Sequence, residues 1–92
     1  MNTVIVKQCG RPGKDSQTFR AYAPVDLPKV RENKSLGVSA STTGNVSWGV
    51  IHCAAKAFMK FTEPQADIDE VETRISITEM SPGLWVAELQ SK

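Results

Sequence analysis

The segment 45–61 constrains the fold more than any other part of the chain, because it has the apolar periodicity of a helix. Its first apolar stripe recurs at spacings of three and four residues: Ile51, Ala54, Phe58 and Phe61. A second stripe lies on an adjacent flank: Trp48, Ala55 and Met59. The remaining strip is polar: Asn45, Gly49, His52, Lys56, Lys60 and Glu63. A helix this apolar is covered on more than one side.

The rest of the chain has the short alternating patterns of β-strands. The predicted strands are 3–9, 17–23, 36–41, 71–78 and 84–90. Turn residues separate them, with Gly and Pro in 10–16, two prolines in 24–34 and a Ser-Pro-Gly-Leu sequence at 81–84 that fits a type II turn. Asn45 or Thr43 is the expected N-cap of the helix, and Pro64 ends it. The acidic segment 65–70 is predicted to be a connection.

These elements predict a single α+β domain over residues 1–92, with the order β-β-β-α-β-β along the chain. The economical arrangement is a five-stranded antiparallel sheet with one helix packed on one face. The helix is expected to bury its first stripe on seven strand residues: Val4, Val6, Phe19, Ala21, Val38, Ile75 and Ile77. The other face of the sheet then has no cover from the same chain.

Charge and cysteine content place the chain in an ordinary soluble class. Its 11 basic and 10 acidic residues give a net charge of +1, so the total implies no attraction to nucleic acid or to an anionic membrane. Cys9 and Cys53 are expected to be reduced, mostly buried thiols of a cytoplasmic protein of bacterial style. The sequence shows neither a signal peptide nor the roughly 18 apolar residues of a membrane helix.

Catalytic and metal-binding patterns are lacking in the sequence. His52 is the single histidine, and its neighbour Cys53 diverges from it by about 100° on a helix, so the two cannot form a catalytic pair. A partner for His52 would come from another strand, with Glu79 and Glu88 as candidates. The acidic run 67–72 lacks the glycine and spacing of a calcium loop. We therefore expect a non-enzymatic protein with no cofactor and no metal.

Two surfaces are candidates for binding. The second helix flank and the last strand predict a homodimer interface or a ligand pocket built by Trp48, His52, Met59 and Trp85, because large aromatics and Met are enriched at interfaces. The free sheet face is a candidate for nucleic acid: Lys7, Arg20, Tyr22 and Arg74, with Trp85 as a further aromatic. The last strand, 84–90, contains no proline and is expected to be able to pair edge to edge. Self-association is the favoured prediction, with a nucleic-acid-binding sheet or an apolar pocket beside the helix as alternatives.

Part of the chain resembles HicB-like antitoxins. The residues concerned are Tyr-Ala-Pro-Val-Asp-Leu-Pro at 22–28, Val38 and Ala40, and Thr-Gly-Asn at 43–45 before an alanine-rich helix. The resemblance implies a small ribonuclease-H-like layer that dimerises and binds a toxin without catalysis of its own. In size and style the chain also resembles the orphan α+β proteins that travel on bacterial mobile gene cassettes.

Overall fold

The computed structural model describes residues 2–9, 17–24 and 34–91. Its elements, in chain order, are β1 (Thr3–Cys9), β2 (Gln17–Tyr22), β3 (Ser35–Thr42), α1 (Val46–Phe61), α2 (Ile68–Thr73), β4 (Ile75–Ser81) and β5 (Leu84–Leu89). The strands form one antiparallel sheet in the order β3-β2-β1-β5-β4. The predicted α+β class and five-stranded sheet are confirmed. The predicted turn at 10–16 and most of the connection at 24–34 lie outside the described residues.

Helix α1 follows edge strand β3 and packs on one face of the whole sheet. The side chains between them form the core, which includes Val4, Val6, Phe19 and Phe58 without any exposed surface. Asn45 is the N-cap, and its side chain accepts a hydrogen bond from the Trp48 N–H, as predicted. No helix in the described ranges is long and apolar enough to cross a membrane.

The buried face of α1 is rotated from the predicted stripe. Phe61 was expected in the core but is 46% exposed, with the Lys60 ammonium 5.3 Å from its ring centroid. Gly49, assigned to the polar strip, is buried instead. The reason is a row of small residues four apart, Gly49, Cys53 and Ala57, which allows the helix backbone to approach the sheet closely.

Gly49 marks the closest approach between α1 and the sheet. A Cβ built at this position would lie 2.6 Å from Phe19 Cε2 and 2.7 Å from Thr42 Cγ2. Phe19 is itself fixed by an edge contact with the Trp85 ring, at a centroid distance of 5.8 Å. Only a residue without a side chain fits between the helix and these two strands.

The prediction of a strand over 71–78 is wrong for its first residues. A second helix occupies 68–73, and β4 begins at Ile75. Ile68 and Val71 are three residues apart, and Val71 is fully buried beside α1. Asp69 and Glu70 lie in the first turn, where negative charge favours a helix. The predicted connection 65–70 is therefore partly helical.

The order of strands also corrects the expected sheet edge. β5 lies between β1 and β4, so the last strand cannot pair with another chain through an edge. The turn before it is confirmed, since Gly83 has the positive φ of +81° that a type II turn requires at its third position. The two edges of the sheet are β3 and β4.

Candidate interaction surfaces

Lysines from α1 bind two backbone carbonyl groups of edge strand β3. Lys56 Nζ donates to the Ser39 carbonyl at 2.7 Å, and Lys60 Nζ donates to the Leu36 carbonyl at 3.3 Å. The pairing with β2 shifts register next to Gly37, which has a φ of +71°. Lysines and bulges on an edge strand oppose pairing with another chain.

The edge at β4 has no lysine hydrogen bond of this kind within the described residues, although its pairing with β5 also shifts register between Glu79 and Ser81. The Gln90 N–H donates to the Arg74 carbonyl, which fixes the alternation of the ladder between β4 and β5. Ser76 and Thr78 consequently direct their backbone groups to β5. The backbone groups of Ile75, Ile77 and Glu79 point outward, and neither a lysine hydrogen bond nor a proline covers them.

A stacked aromatic pair lies at the start of α1, close to α2. The Trp48 and His52 rings are nearly parallel, 8° apart with centroids at 5.0 Å, as residues four apart on a helix allow. His52 Nδ1 lies 3.0 Å from Glu72 Oε2. The partner of His52 is thus a carboxylate of α2 and not Glu79 or Glu88. Trp48 remains 51% exposed although its ring is held in place.

The other predicted interface residues lie elsewhere. Met59 is half-buried against the core, whereas Trp85 faces α1 and is only 6% exposed. Trp85 is therefore a core residue and cannot contact a partner from this position. Two pockets lined by described residues do not involve Trp48 or Met59. One of about 230 Å³ lies beside Arg20 and another of about 280 Å³ lies at residues 63–66.

Three of the four predicted nucleic-acid residues share the sheet face opposite α1, here called the open face, although Ile5 on the same face is fully buried. Lys7 on β1 is directly opposite Arg20 on β2, and Tyr22 follows two residues later on the same face. Arg74 is not on this face. Its guanidinium binds both carboxylate oxygens of Glu63, at 2.7 and 3.0 Å, and Glu70 at 3.1 Å.

The two cysteines are both free thiols with different surroundings. Cys53 is fully buried in the core, and burial raises the pKa of its thiol to about 12. A thiol in this state is not a nucleophile near neutral pH. Cys9 is partly exposed on the open face, and its Sγ lies 3.7 Å from the Lys7 carbonyl.

Two functional features could not be identified from the sequence alone. Glu72 is separated from His52 by 20 residues, and its role depends on α2, which was read as a strand. The unpaired backbone groups of β4 are exposed because β4 is at an edge of the sheet. The apolar periodicity of a single strand does not show its place in the order of strands. The acidic first turn at Asp69 and Glu70 was the available signal for α2.

Comparison of the chain with protein-family models, with curated proteins and with solved structures found no match.

Proposed function

We propose that the protein is a non-enzymatic interaction module that forms a homodimer through the β4 edge. The observation that carries this proposal is the difference between the two sheet edges. Lys56 and Lys60 bind two backbone carbonyls of β3, whereas Ile75, Ile77 and Glu79 present open backbone groups on β4. An open edge strand is a template for pairing with another strand.

A second copy of β4 is the partner that matches this edge best. Antiparallel pairing about a two-fold axis at Ile77 places Ile77 opposite its own copy and Ile75 opposite Glu79 of the other chain. Each outward N–H of one strand then meets a carbonyl of the other, which gives about six hydrogen bonds. A shift by one pair in either direction leaves one outward residue of each strand without a partner, so this register is favoured. The resulting two-fold contact is closed, as in most homodimers.

The experiment compares two substitutions at Glu79, an exposed residue whose N–H points outward. Glu79→Pro removes that N–H without breaking a bond to β5, and edge strands tolerate proline there. Glu79→Ala removes the same side chain and keeps the N–H. In sedimentation equilibrium at micromolar to submillimolar concentration, we expect the unmodified chain and Glu79→Ala to have twice the monomer mass of 10.1 kDa, and Glu79→Pro to be monomeric.

Circular dichroism and the urea midpoint should show that Glu79→Pro is folded. A monomer mass for the unmodified chain, or a dimer that persists in folded Glu79→Pro, would contradict pairing through this edge.

A second candidate function is nucleic-acid binding by the open face. Its support is the placement of Lys7, Arg20 and Tyr22 on one surface. The fourth predicted residue, Arg74, is in an ion-pair cluster on the other side of the fold and is not included. The resemblance to HicB-like antitoxins agrees with a dimeric, non-catalytic module and adds a protein toxin as a candidate partner.

A further inference from the structure

Two positive charges lie directly opposite each other on the open face. Lys7 and Arg20 are register partners on β1 and β2, with Cα atoms about 5.5 Å apart in a hydrogen-bonded antiparallel pair. Like charges in this position destabilise a sheet. Within the described ranges neither side chain has a carboxylate at ion-pair distance. The described residues therefore provide no ion pair that relieves this repulsion.

Hydroxyl groups and a concave surface adjoin this pair. Ser39 on β3 is the register partner of Arg20 on its other side, so Lys7, Arg20 and Ser39 form one row across three strands. The bulge beside Gly37 interrupts the regular ladder there. Arg20, Ser35, Gly37 and Ser39 line the pocket of about 230 Å³. We call Lys7, Arg20, Ser35 and Ser39 the basic corner.

The charge around the basic corner favours an anion. Among the described strand residues of the open face, Glu88 is the carboxylate, and it lies opposite Thr3. Four residues of strand separate Thr3 from Lys7, roughly 13 Å. The next row on the other side is neutral, with Thr18 Oγ1 and Ser41 Oγ 3.2 Å apart. A ligand in the pocket therefore meets the Arg20 guanidinium and serine hydroxyls, with Lys7 next to Arg20 and no carboxylate of the described strands in this row.

We propose that the basic corner binds a phosphate oxyanion. The planar guanidinium of Arg20 suits bidentate contact with phosphate, Lys7 adds a point charge, and the serine hydroxyls donate to the remaining oxygens. The phosphate can belong to a free phosphate compound or to the backbone of a single-stranded nucleic acid, for which the nearby Tyr22 offers a stacking surface. The proposal deepens the second candidate function and does not require pairing at β4, because β4 is at the opposite edge of the sheet.

The test is an NMR titration of the ¹⁵N-labelled chain at low salt with two probes, sodium pyrophosphate and a single-stranded octathymidylate. We expect saturable shifts at the Arg20 side-chain N–H and at the amides of Ser35 and Ser39. Arg20→Gln should weaken binding about tenfold or more, the loss expected for a hydrogen bond to a charged group. Lys60→Gln is the control, since it also removes one positive charge from the β3 edge, and its Nζ donates to the Leu36 carbonyl and not to a residue of the corner.

The two probes distinguish the source of the phosphate. A nucleic-acid strand is indicated if octathymidylate binds more tightly than pyrophosphate and shifts the Tyr22 ring signals. For two phosphate contacts, the logarithm of its binding constant should then fall against the logarithm of the salt concentration with a slope of roughly −1.4. Equal or tighter binding of pyrophosphate indicates a free phosphate compound. Absence of saturable shifts at the corner with both probes would overturn the proposal, as would equal weakening by Lys60→Gln and Arg20→Gln.

Discussion

At the scale of single residues, α1 can lie close to the sheet because its facing residues are a glycine, Gly49, and the small residues Cys53 and Ala57. Gly49 is in the first turns of the helix, where alanine is intrinsically favoured by about 1 kcal/mol. The position nevertheless has no room for a methyl group, because Phe19 and Thr42 would lie within 2.7 Å of it. Phe19 cannot move freely, since it is fully buried and packed on Trp85. Packing and helix propensity therefore oppose each other here.

We expect Gly49→Ala to destabilise the fold by about 1–3 kcal/mol, the usual cost of overpacking a core. The measurement is the free energy of unfolding from urea denaturation. Gly44→Ala is the matched control, because no heavy atom lies within 4 Å of a Cβ at that position, and its effect should stay within about 0.5 kcal/mol. Equal stability of both variants with the unmodified chain would show that the helix does not approach Phe19 this closely.

At the scale of elements, alternation and helical spacing were sufficient to predict β1, β2, β3 and α1. The prediction failed where two periods overlap. Val71, Thr73 and Ile75 alternate as in a strand, whereas Ile68 and Val71 are spaced as in a helix. The helix is formed because it buries Val71 beside α1. The rotation of α1 was also not predictable from its largest apolar residues, because small residues determine which face can approach a sheet.

Arg74 connects α2, the helix that was not predicted from the sequence, to the ends of α1 and β5. It follows α2, its guanidinium binds Glu63 after α1 and Glu70 within α2, and its Nε donates to the Gln90 carbonyl after β5. Hydrogen bonding to Glu63 raises the pKa of the Arg74 guanidinium, a group that is always protonated in proteins. One planar cation thus connects the ends of three elements.

We expect Arg74→Gln to lower the urea midpoint clearly, and Arg74→Lys to recover only a small part of the loss. A lysine retains the charge but cannot contact both oxygens of Glu63 and a carbonyl at once. Glu70→Gln, which removes the longer of the two ion pairs and leaves Glu63 in place, is the control and should have a smaller effect than Arg74→Gln. Full recovery by Arg74→Lys would mean that charge alone, and not the forked geometry, connects these elements.

At the scale of the whole molecule, the two sheet edges and the exposed aromatic surface suggest one dimer. Six edge hydrogen bonds contribute about 0.5–1.5 kcal/mol each, roughly 6 kcal/mol before the cost of association. A micromolar dimer needs about 8 kcal/mol after that cost, so apolar burial has to contribute as well. Trp48 is the largest exposed aromatic of the described residues, and its stacking on His52 lowers the entropy lost when it is buried. The sequence predicted its role as an interface residue, and this role stays a prediction.

The fluorescence of Trp48 can test whether it is covered in the dimer. In a Trp85→Phe variant, Trp48 is the single tryptophan, and phenylalanine keeps an aromatic ring against Phe19. We expect its emission to shift to the blue and its quenching by acrylamide to fall as the concentration rises through the range in which sedimentation shows the dimer, because indole leaves water at an interface. The same variant with Glu79→Pro should show neither change. Constant quenching of Trp48 while the mass doubles would place this residue outside the interface and leave the β4 edge as the contact between the two chains.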